Sequence, residues 1–490
     1  MLRNSILVLM LVLLAACSRH PSVPGQYAST DAWPTIYPDY IDVTVPSNIA
    51  PLNFMLTDPQ VTSVVTRITA ADGSVQTYGE GSKVMIPEHE WQQMRDASRG
   101  KSLQVEVFAK TGETGWQSYR GFAIHIAQEE VDPYISYRLL DPSYVMYHDM
   151  NISQRDLTTF DESEIFNNRL TDGIGEGQCI NCHSYQDYKT DNMLFHVRGL
   201  HGCTVMVVDG EVRTLNLRRP YTISAGVYPA WHPAERRVAF STNSTHQWFH
   251  TSDPNKIEVF DTQSDLIFYD IDTDSVSIIT ADTARLEVFP AWSPDGRWLY
   301  YCSAQVWQPD STTVGDYRTH YADVRYNIYR RAYEDGHFGE EEEVYRADTL
   351  GRSCSLPRIS PDGQYLAFAE GGYGCFNIWH HDADIRVMRL ADAEMLSTQP
   401  VNSSRYAESY PSWSSNGHWL MCASRRDDGN YSRVVMAYFD GQRFGKAFML
   451  PQRDPEHNLL RMQSYNRPEF MAEPVDKALT KRIARSLEPL

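Results

Sequence analysis

A mainly β fold is what this sequence predicts: an N-terminal sandwich followed by an array of repeats. Short runs such as 41–45 and 103–108 alternate apolar and polar residues, which is typical of strands with one exposed face. Beyond residue 193, a short motif recurs, each time just ahead of an apolar strand. The chain has 490 residues, 42% of them hydrophobic, which is enough for about two or three globular units. Its mean hydropathy of -0.45 excludes a polytopic membrane protein.

The N-terminal part comprises residues 37–128. Turn signals at Ala71-Asp72-Gly73 and Lys110-Thr111-Gly112 separate its apolar runs, and the run at 121–126 closes the set. We therefore expect a small antiparallel β-sandwich with an immunoglobulin-like arrangement.

Four segments of the C-terminal part align without gaps, and a shorter fifth copy follows at Asn466-Arg467-Pro468. All four share a large apolar residue followed by proline, and three of them have tryptophan two residues later. The four are Tyr228-Pro229-Ala230-Trp231, Phe289-Pro290-Ala291-Trp292, Leu356-Pro357-Arg358-Ile359 and Tyr410-Pro411-Ser412-Trp413. Each unit is too small to bury its own faces, so the repeat predicts a radial array of four-stranded blades.

Residue types in the repeat have definite structural tasks. The Asp-Gly or Asn-Gly that follows three copies supplies a tight turn in which glycine takes a positive φ, and the tryptophan packs between neighbouring blades. These copies resemble the TolB-like (WD-like) repeats of bacterial β-propellers over residues 193–475. The resemblance implies the fold and says little about function. A tail at 476–490 follows.

The blade number is predicted as five from the copies, or six if a degenerate copy is hidden, since TolB-like propellers often have six. The fifth copy lacks outer strands, and we expect it to share its blade with strands at 203–208 and 211–215. Two long insertions, at 243–261 and 307–322, are expected on one rim.

Residues 129–192 separate the two β parts and show weaker periodicity. We expect a long irregular connector there, with a short helix near 162–170. A loop-rich segment of this length inside a folded protein is usually functional.

This connector contains Cys179-Ile180-Asn181-Cys182-His183, which has the spacing of a c-type haem attachment motif. Two thiols so spaced add across the two vinyl groups of one porphyrin, and the adjacent histidine becomes the proximal ligand of the iron. The motif therefore predicts one covalently bound haem c, attached through Cys179 and Cys182 and ligated by His183.

An alternative is an ordinary disulfide or half of a zinc site. Zinc would need further ligands, and Cys203 with His196 or His201 could supply them.

The sixth ligand of the iron is left open by the sequence. His196 is the first candidate and Met193 the second, because both follow the motif closely. Other methionines and histidines lie within reach, namely Met146, His148, Met150 and His201. Methionine would raise the reduction potential relative to histidine.

An export signal agrees with the haem prediction, since haem is attached to this motif outside the cytoplasm in bacteria. Residues 1–16 carry Arg3 and an apolar run at 6–14, and the sequence Leu14-Ala15-Ala16-Cys17 resembles a bacterial lipobox. The resemblance implies a cleaved signal peptide at 1–16, a lipidated Cys17 and a tether at 17–36. We therefore expect a lipoprotein of the cell envelope, anchored at the outer membrane and facing the periplasm.

The formal net charge of -19 argues against nucleic acid as a partner, because no basic run offsets it. Such a field could steer a basic redox partner.

Three functions fit these features. The first is a lipid-anchored mono-haem cytochrome that transfers electrons to a protein redox partner or an envelope complex. The second is a haem oxidoreductase, and the third is a TolB-like scaffold or ligand-binding lipoprotein without redox chemistry. Whether the protein is an enzyme stays open.

Overall fold

The computed structural model describes residues 20–112, 115–142, 145, 149–171, 179–199, 202–307 and 320–487. It divides into two compact units, Met1–Gln128 with Pro451–Leu459, and Glu129–Leu450 with Leu460–Leu490. Over the described ranges, no helix combines the length and apolar character that crossing a membrane requires. The predicted signal peptide and Cys17 lie outside the described residues.

In the first unit, the described strands form two sheets. The larger sheet contains β1 (Ala28–Ser29), β3 (Val43–Val45), β5 (Val61–Thr69), β6 (Val75–Tyr78), β8 (Ser102–Thr111), β9 (Gly115–Ser118) and β10 (Phe122–Ile126). The smaller sheet contains β2 (Ile36–Tyr37), β4 (Phe54–Leu56) and β7 (Lys83–Val84). Along β10 the buried and exposed side chains alternate, as the sequence pattern predicts. Strands β1 and β2 begin within the stretch interpreted as a tether.

A helix in this unit was not anticipated from the sequence. Helix α1 (Glu88–Ala97) follows Pro87 and buries Trp91 and Met94, which lie three residues apart on one face. The indole Nε1 of Trp91 donates to the carbonyl of Ile49 at 2.8 Å, which joins the helix to the body of the unit.

The described strands of the second unit form six antiparallel blades, so the predicted propeller is confirmed. Blade 1 contains β14 (Ile180–Gln186), β15 (Lys189–Val197), β16 (Cys203–Val208) and β17 (Glu211–Leu215). Blade 2 contains β18 (Val227–Trp231), β19 (Arg237–Phe249), β20 (Ile257–Asp270) and β21 (Ser275–Thr280). Blade 3 contains β22 (Arg285–Trp292), β23 (Trp298–Gln305), β24 (Asn327–Glu334) and β25 (His337–Tyr345).

The remaining blades complete the ring. Blade 4 contains β26 (Ser353–Ile359), β27 (Tyr365–Gly371), β28 (Asp384–Arg389) and β29 (Glu394–Met395). Blade 5 contains β30 (Glu408–Trp413), β31 (Trp419–Ser424), β32 (Arg433–Tyr438) and β33 (Phe448–Met449). Blade 6 contains β11 (Tyr134–Leu140), β12 (Met150–Asp156), β13 (Glu162–Asn167) and the C-terminal strand β34 (Ser464–Met471). The innermost strands contact one another in sequence around the ring, and β14 contacts β34 to close it.

Blade 6 joins the two ends of the propeller, as expected, but with different partners. Strand β34 pairs antiparallel with β11 from Tyr134↔Met471 to Leu140↔Ser464. The strands at 203–208 and 211–215, which the sequence analysis assigned to this blade, instead form the outer half of blade 1. Residues 134–167 supply β11, β12 and β13 of blade 6, and residues 180–197 supply β14 and β15 of blade 1. Sequence periodicity does not indicate strands in these two segments.

Apart from the end of β15, both segments lie within residues 129–192, where an irregular connector was expected. The structure has strands there, and the stretch expected as a helix is β13 followed by a 3-10 turn at Asn168–Thr171. The pattern is obscured because polar residues such as Ser153, Gln154 and Arg155 are buried along β12. Two of them have clear partners: Gln154 Nε2 donates to the carbonyl of Val475, and Ser153 Oγ donates to Asn151 Oδ1, both at 2.8 Å.

Repeat residues take the positions their chemistry predicts. Trp231, Trp292 and Trp413 are buried against neighbouring blades, and Trp292 Nε1 donates to the carbonyl of Ala230 at 3.1 Å. Gly296 turns the chain after Trp292 with φ of 71°, a value that other residues resist. Short helices complete the described secondary structure: 3-10 turns at Tyr321–Asp323, Asp348–Leu350 and Asn377–Trp379, with α2 (His457–Leu460) and α3 (Lys477–Ser486).

Candidate functional site

The Cys-Xaa-Xaa-Cys-His motif lies on β14, the innermost strand of blade 1. All six innermost strands carry a β-bulge at the same place, and the first bulged residue has a left-handed φ. These residues are Cys182 (57°), Tyr228 (50°), Phe289 (57°), Leu356 (55°), Tyr410 (53°) and Arg467 (49°). Cys182 and His183 therefore stand where the other five blades have a residue followed by proline. The motif is the hidden sixth copy of the repeat.

A cavity of ≈ 100 Å³ adjoins this strand. Both cysteines of the motif line it, and the other walls come from blades 2, 4, 5 and 6 and from Arg198. These residues are Arg138, Leu140, Met150, Asn181, Tyr228, Thr245, Gln247, Ile257, Val259, Phe376, Ile378, Trp379, Tyr410, Asn466 and Arg467. Its lining of apolar and aromatic side chains with a few polar groups is typical of a cofactor or small-molecule site.

The two thiols are free of disulfide bonds. Cys179 is half-buried and Cys182 is buried. Burial raises the pKa of the Cys179 thiol, so it is protonated at neutral pH. Asn181 lies between them, and its Nδ2 is 3.7 Å from Cys179 Sγ.

His183 is fully buried, and among the described residues neither of its ring nitrogens has a well-aligned hydrogen-bond partner, although the main chain of Arg467 lies close enough to interact with the ring. Burial lowers the pKa of His183 to about 3, although the carboxylate of Glu469 and the main chain of Arg467 act in the opposite direction. The imidazole is therefore neutral, with an unused lone pair, at physiological pH. It does not line the cavity.

The two distal candidates from the sequence also lie away from the cavity wall. His196 is opposite Asn181 on β15, and its Nδ1 is 2.9 Å from Thr204 Oγ1, while Nε2 has no partner. Burial lowers the pKa of His196 to about 3. Met193 is buried in the core between blades 1 and 6.

Met150 is the one candidate thioether on the described cavity wall. Its Sδ accepts from the backbone N–H of Ile180 at 3.3 Å, which places it beside the motif. Tyr228 and Tyr410 bring phenol groups to the same wall, and phenolate is also a known haem ligand. The other candidates, Met146, His148 and His201, lie outside the described residues.

Three positively charged side chains, those of Arg138, Arg198 and Arg467, line the cavity. Arg138 is oriented by its Nη1 donating to the carbonyl of Ile180 and its Nη2 to Asn466 Oδ1, both at 2.9 Å. Arg467 is held by Glu469, whose Oε1 accepts from its Nε at 3.0 Å. Guanidinium groups so placed can receive the carboxylates of a ligand.

Sequence reasoning missed the part of the site that the long β19–β20 hairpin supplies. Thr245 and Gln247 face the cavity from β19, and Ile257 and Val259 face it from β20. The sequence shows a long insertion at 243–261, but it does not show which part of the propeller the insertion contacts.

The described residues do not bring together the set of side chains that a zinc site needs. Within the described ranges, no three or more His, Cys, Asp or Glu side chains are arranged to hold a metal ion. Cys203 is half-buried on β16 and pairs in register with Val197.

No protein-family model and no curated protein sequence matches this chain. Solved structures similar to it include TolB from Acinetobacter baumannii, with 12% identity and a TM-score of 0.43 over 78% of this chain and 85% of that one. Hydrazine synthase from Kuenenia stuttgartiensis has 12% identity and a TM-score of 0.37 over 86% and 99%. The β-propeller domain of the trilobed protease from Pyrococcus furiosus has 10% identity and a TM-score of 0.33 over 83% and 98%. Likenesses this distant concern the fold alone, so function has to be argued from the site.

Proposed function

We propose that the chain covalently binds one haem c through Cys179 and Cys182 and serves as a mono-haem electron-transfer protein built on a propeller scaffold. The observation that carries this proposal is the position of the two thiols. Both lie, without a disulfide, on the wall of a cavity of ≈ 100 Å³ that is lined by apolar and cationic residues. The motif spacing alone is a sequence pattern, and the shared cavity supports it; a porphyrin attached to both thiols requires the walls of this cavity to move apart.

Each kind of wall residue has a task in this proposal. The thiols of Cys179 and Cys182 form the thioether bonds, and apolar side chains such as Phe376, Ile378 and Trp379 exclude water. Arg138 and Arg198 are placed to neutralise propionate carboxylates. Bound haem supplies a one-electron redox centre.

His183 is the proximal ligand that the motif implies. Among the described residues this buried imidazole has no well-aligned hydrogen-bond partner, which costs at most about 3 kcal/mol. An iron ligand bond would satisfy one of its ring nitrogens. Because the ring does not line the cavity, ligation requires the side chain to turn towards it. His196 and Met193 remain candidates for the sixth position, and Met150 joins them.

The location proposed is the cell envelope, with Cys17 lipidated at the outer membrane and the protein facing the periplasm. The lipobox-like residues at the end of 1–16 support this, and haem attachment would require export. With a net charge of -19, a redox partner with a basic surface is the one such a field would steer.

The test is haem content after production in a host with cytochrome c maturation machinery. We expect stoichiometric haem that survives denaturation and acid extraction, measured by pyridine haemochrome absorbance. Cys179→Ser with Cys182→Ser should abolish it, whereas Cys203→Ser, a half-buried cysteine of the same blade, should retain it.

A wild-type protein without a Soret band, or with stoichiometric zinc, would instead support the scaffold hypothesis. If haem is present, the spin state separates the remaining two functions. Six-coordinate low-spin iron suits electron transfer, while an open position suits an oxidoreductase.

A further inference from the structure

A buried carboxyl group, Asp261, lies beside the cavity on the face of β20 that borders it. Its side chain continues the row of Ile257 and Val259, both of which line the cavity. We propose that Asp261 takes up one proton when an electron enters the cavity-bound group and releases it on oxidation, with Thr245 as the hydroxyl that connects it to the cavity. This inference rests on the proposed function, because it requires a redox centre in the cavity.

The geometry connects Asp261 to the cavity through a single residue. Thr245 is directly opposite Asp261 in the β19–β20 register, and its Oγ1 donates to Asp261 Oδ1 at 2.5 Å. Thr245 lines the cavity, whereas Asp261 is 3% exposed. A hydroxyl both donates and accepts, so Thr245 can accept a proton from the cavity side while passing its own to the carboxylate.

The second oxygen of Asp261 is held from the same hairpin. Asn243 Nδ2 donates to Oδ2 at 2.6 Å, and Cys375 Sγ lies 4.0 Å from that oxygen. These contacts fix the carboxyl in one orientation.

Burial raises the pKa of Asp261 to about 6, while Thr245, Asn243 and the positive charge of Arg198 act to lower it. Two other titratable groups face it from neighbouring elements. Burial raises the pKa of Tyr228, on β18, and of Cys375, in the loop after β27, well above their usual values. Neither of those two changes charge between pH 5 and 8, so Asp261 is the group of this set that titrates there.

The step couples the uptake of one electron to the uptake of one proton. One electron, supplied by a one-electron donor protein or by an electrode, removes one positive charge from the cavity. The carboxylate of Asp261 then loses part of its electrostatic stabilisation, which is strong in a poorly solvated interior, and one solvent proton binds to it. By linkage, the reduction potential falls as pH rises through the range where Asp261 titrates.

The experiment is a spectroelectrochemical titration of the haem-loaded full chain between pH 5 and 8. The wild type should show a potential that decreases with pH, with a slope of at most about 59 mV per unit, the limit of one proton per electron. Asp261→Asn should remove this component. Asp265→Asn, which also removes a carboxylate from β20 but away from the cavity, should keep it.

Thr245 variants test the connection. Thr245→Ser keeps the hydroxyl and should preserve the wild-type profile. Thr245→Val removes a hydrogen bond that favours ionised Asp261, and should move the pH-dependent region to higher pH.

Redox-induced infrared difference spectra give a second readout that needs no variant. A carboxylic C=O band that appears on reduction and shifts in D2O is expected. A wild type whose potential does not change with pH, or an Asp261→Asn protein that keeps the full dependence, overturns the inference and leaves the haem proposal standing. Absence of covalent haem overturns both.

Discussion

Blade 1 and blade 2 share one backbone design at the centre of the propeller and differ in chemistry. In blade 2 the bulge holds Tyr228 followed by Pro229, and in blade 1 it holds Cys182 followed by His183. The φ angles of Tyr228 and Cys182, 50° and 57°, are nearly the same. The bulge therefore does not depend on proline.

The two bulges differ in the polar atoms that they bury. Proline in this position removes an N–H that the bulge leaves unpaired and adds no polar atom. His183 adds two ring nitrogens, both buried without a well-aligned partner among the described residues, at a cost of at most about 3 kcal/mol. A local cost without a structural gain is expected at functional sites, and the cysteines beside this histidine point the same way.

The largest expected effect comes from removing one of the six copies outright. A chain that ends before Ser464 lacks β34, which pairs with β11 and buries Tyr465, Phe470 and Met471. Each such side chain contributes about 1.5–3 kcal/mol, and the open ring also exposes two strand edges. Because a whole domain is stable by only about 5–15 kcal/mol, we expect the propeller to lose cooperative unfolding, as measured by thermal circular dichroism.

The matched control ends the chain before Lys477 instead. It removes α3 and the buried Leu479 and Ile483 but keeps the ring closed. This variant should keep a cooperative transition at a lower temperature. If the chain without β34 melts like the wild type, blade 6 is not closed by that strand.

The sequence predicts those parts of the fold in which single residues determine a local contact or turn. Pro290 marks the start of a repeat, Trp292 makes an inter-blade contact and Gly296 forms a turn, so the later blades could be predicted from the chain. Blade 6 could not, because β12 buries polar side chains whose partners are remote. The partner of Gln154 is Val475, 321 residues away.

The candidate site was predictable to the same limited extent. Spacing identifies Cys179 and Cys182, because the chemistry of attachment is local. The cavity beside them depends on Trp379 and Val259, which reach β14 only once the ring has closed. For the same reason Asp261 carries no signal in the sequence.

A second prediction concerns how the two buried histidines of blade 1, His183 and His196, lower the stability of the protein in acid. The pKa values of His183 and His196 are lowered to about 3 by burial, while unfolded histidine titrates near 6.5. The unfolded state therefore binds more protons below pH 6.5, and the contribution of neutral histidine, complete above that pH, is lost as pH falls towards 3. Each histidine should cost about 1.4 kcal/mol per pH unit in this window.

Urea unfolding of the haem-free full chain, followed at pH 7, 6 and 5, measures this slope. His196→Gln should reduce it by the share of one histidine and keep a hydrogen-bonding side chain next to Thr204. Burial raises the pKa of Asp261 to about 6 and that of Glu287 to about 8, so these carboxyls oppose the histidines, and only the difference between variant and wild type isolates His196. An unchanged slope in His196→Gln would show that this ring is not held neutral by burial.

The smallest effect expected separates structure from function at the bulge itself. His183→Pro gives blade 1 the residue found at this position in the other five blades, with the preceding φ already in place. Proline at a compatible site stabilises by about 0.4–1 kcal/mol through the unfolded state, and the change also removes a buried imidazole. The haem-free variant should thus be slightly more stable than the wild type in urea at pH 7.

The same variant, matured with haem, should lose its proximal nitrogen and show altered axial ligation by magnetic circular dichroism. Since proline is tolerated by five bulges of this ring, a loss of stability would mean that His183 has a structural role, and the comparison between blades 1 and 2 would fail.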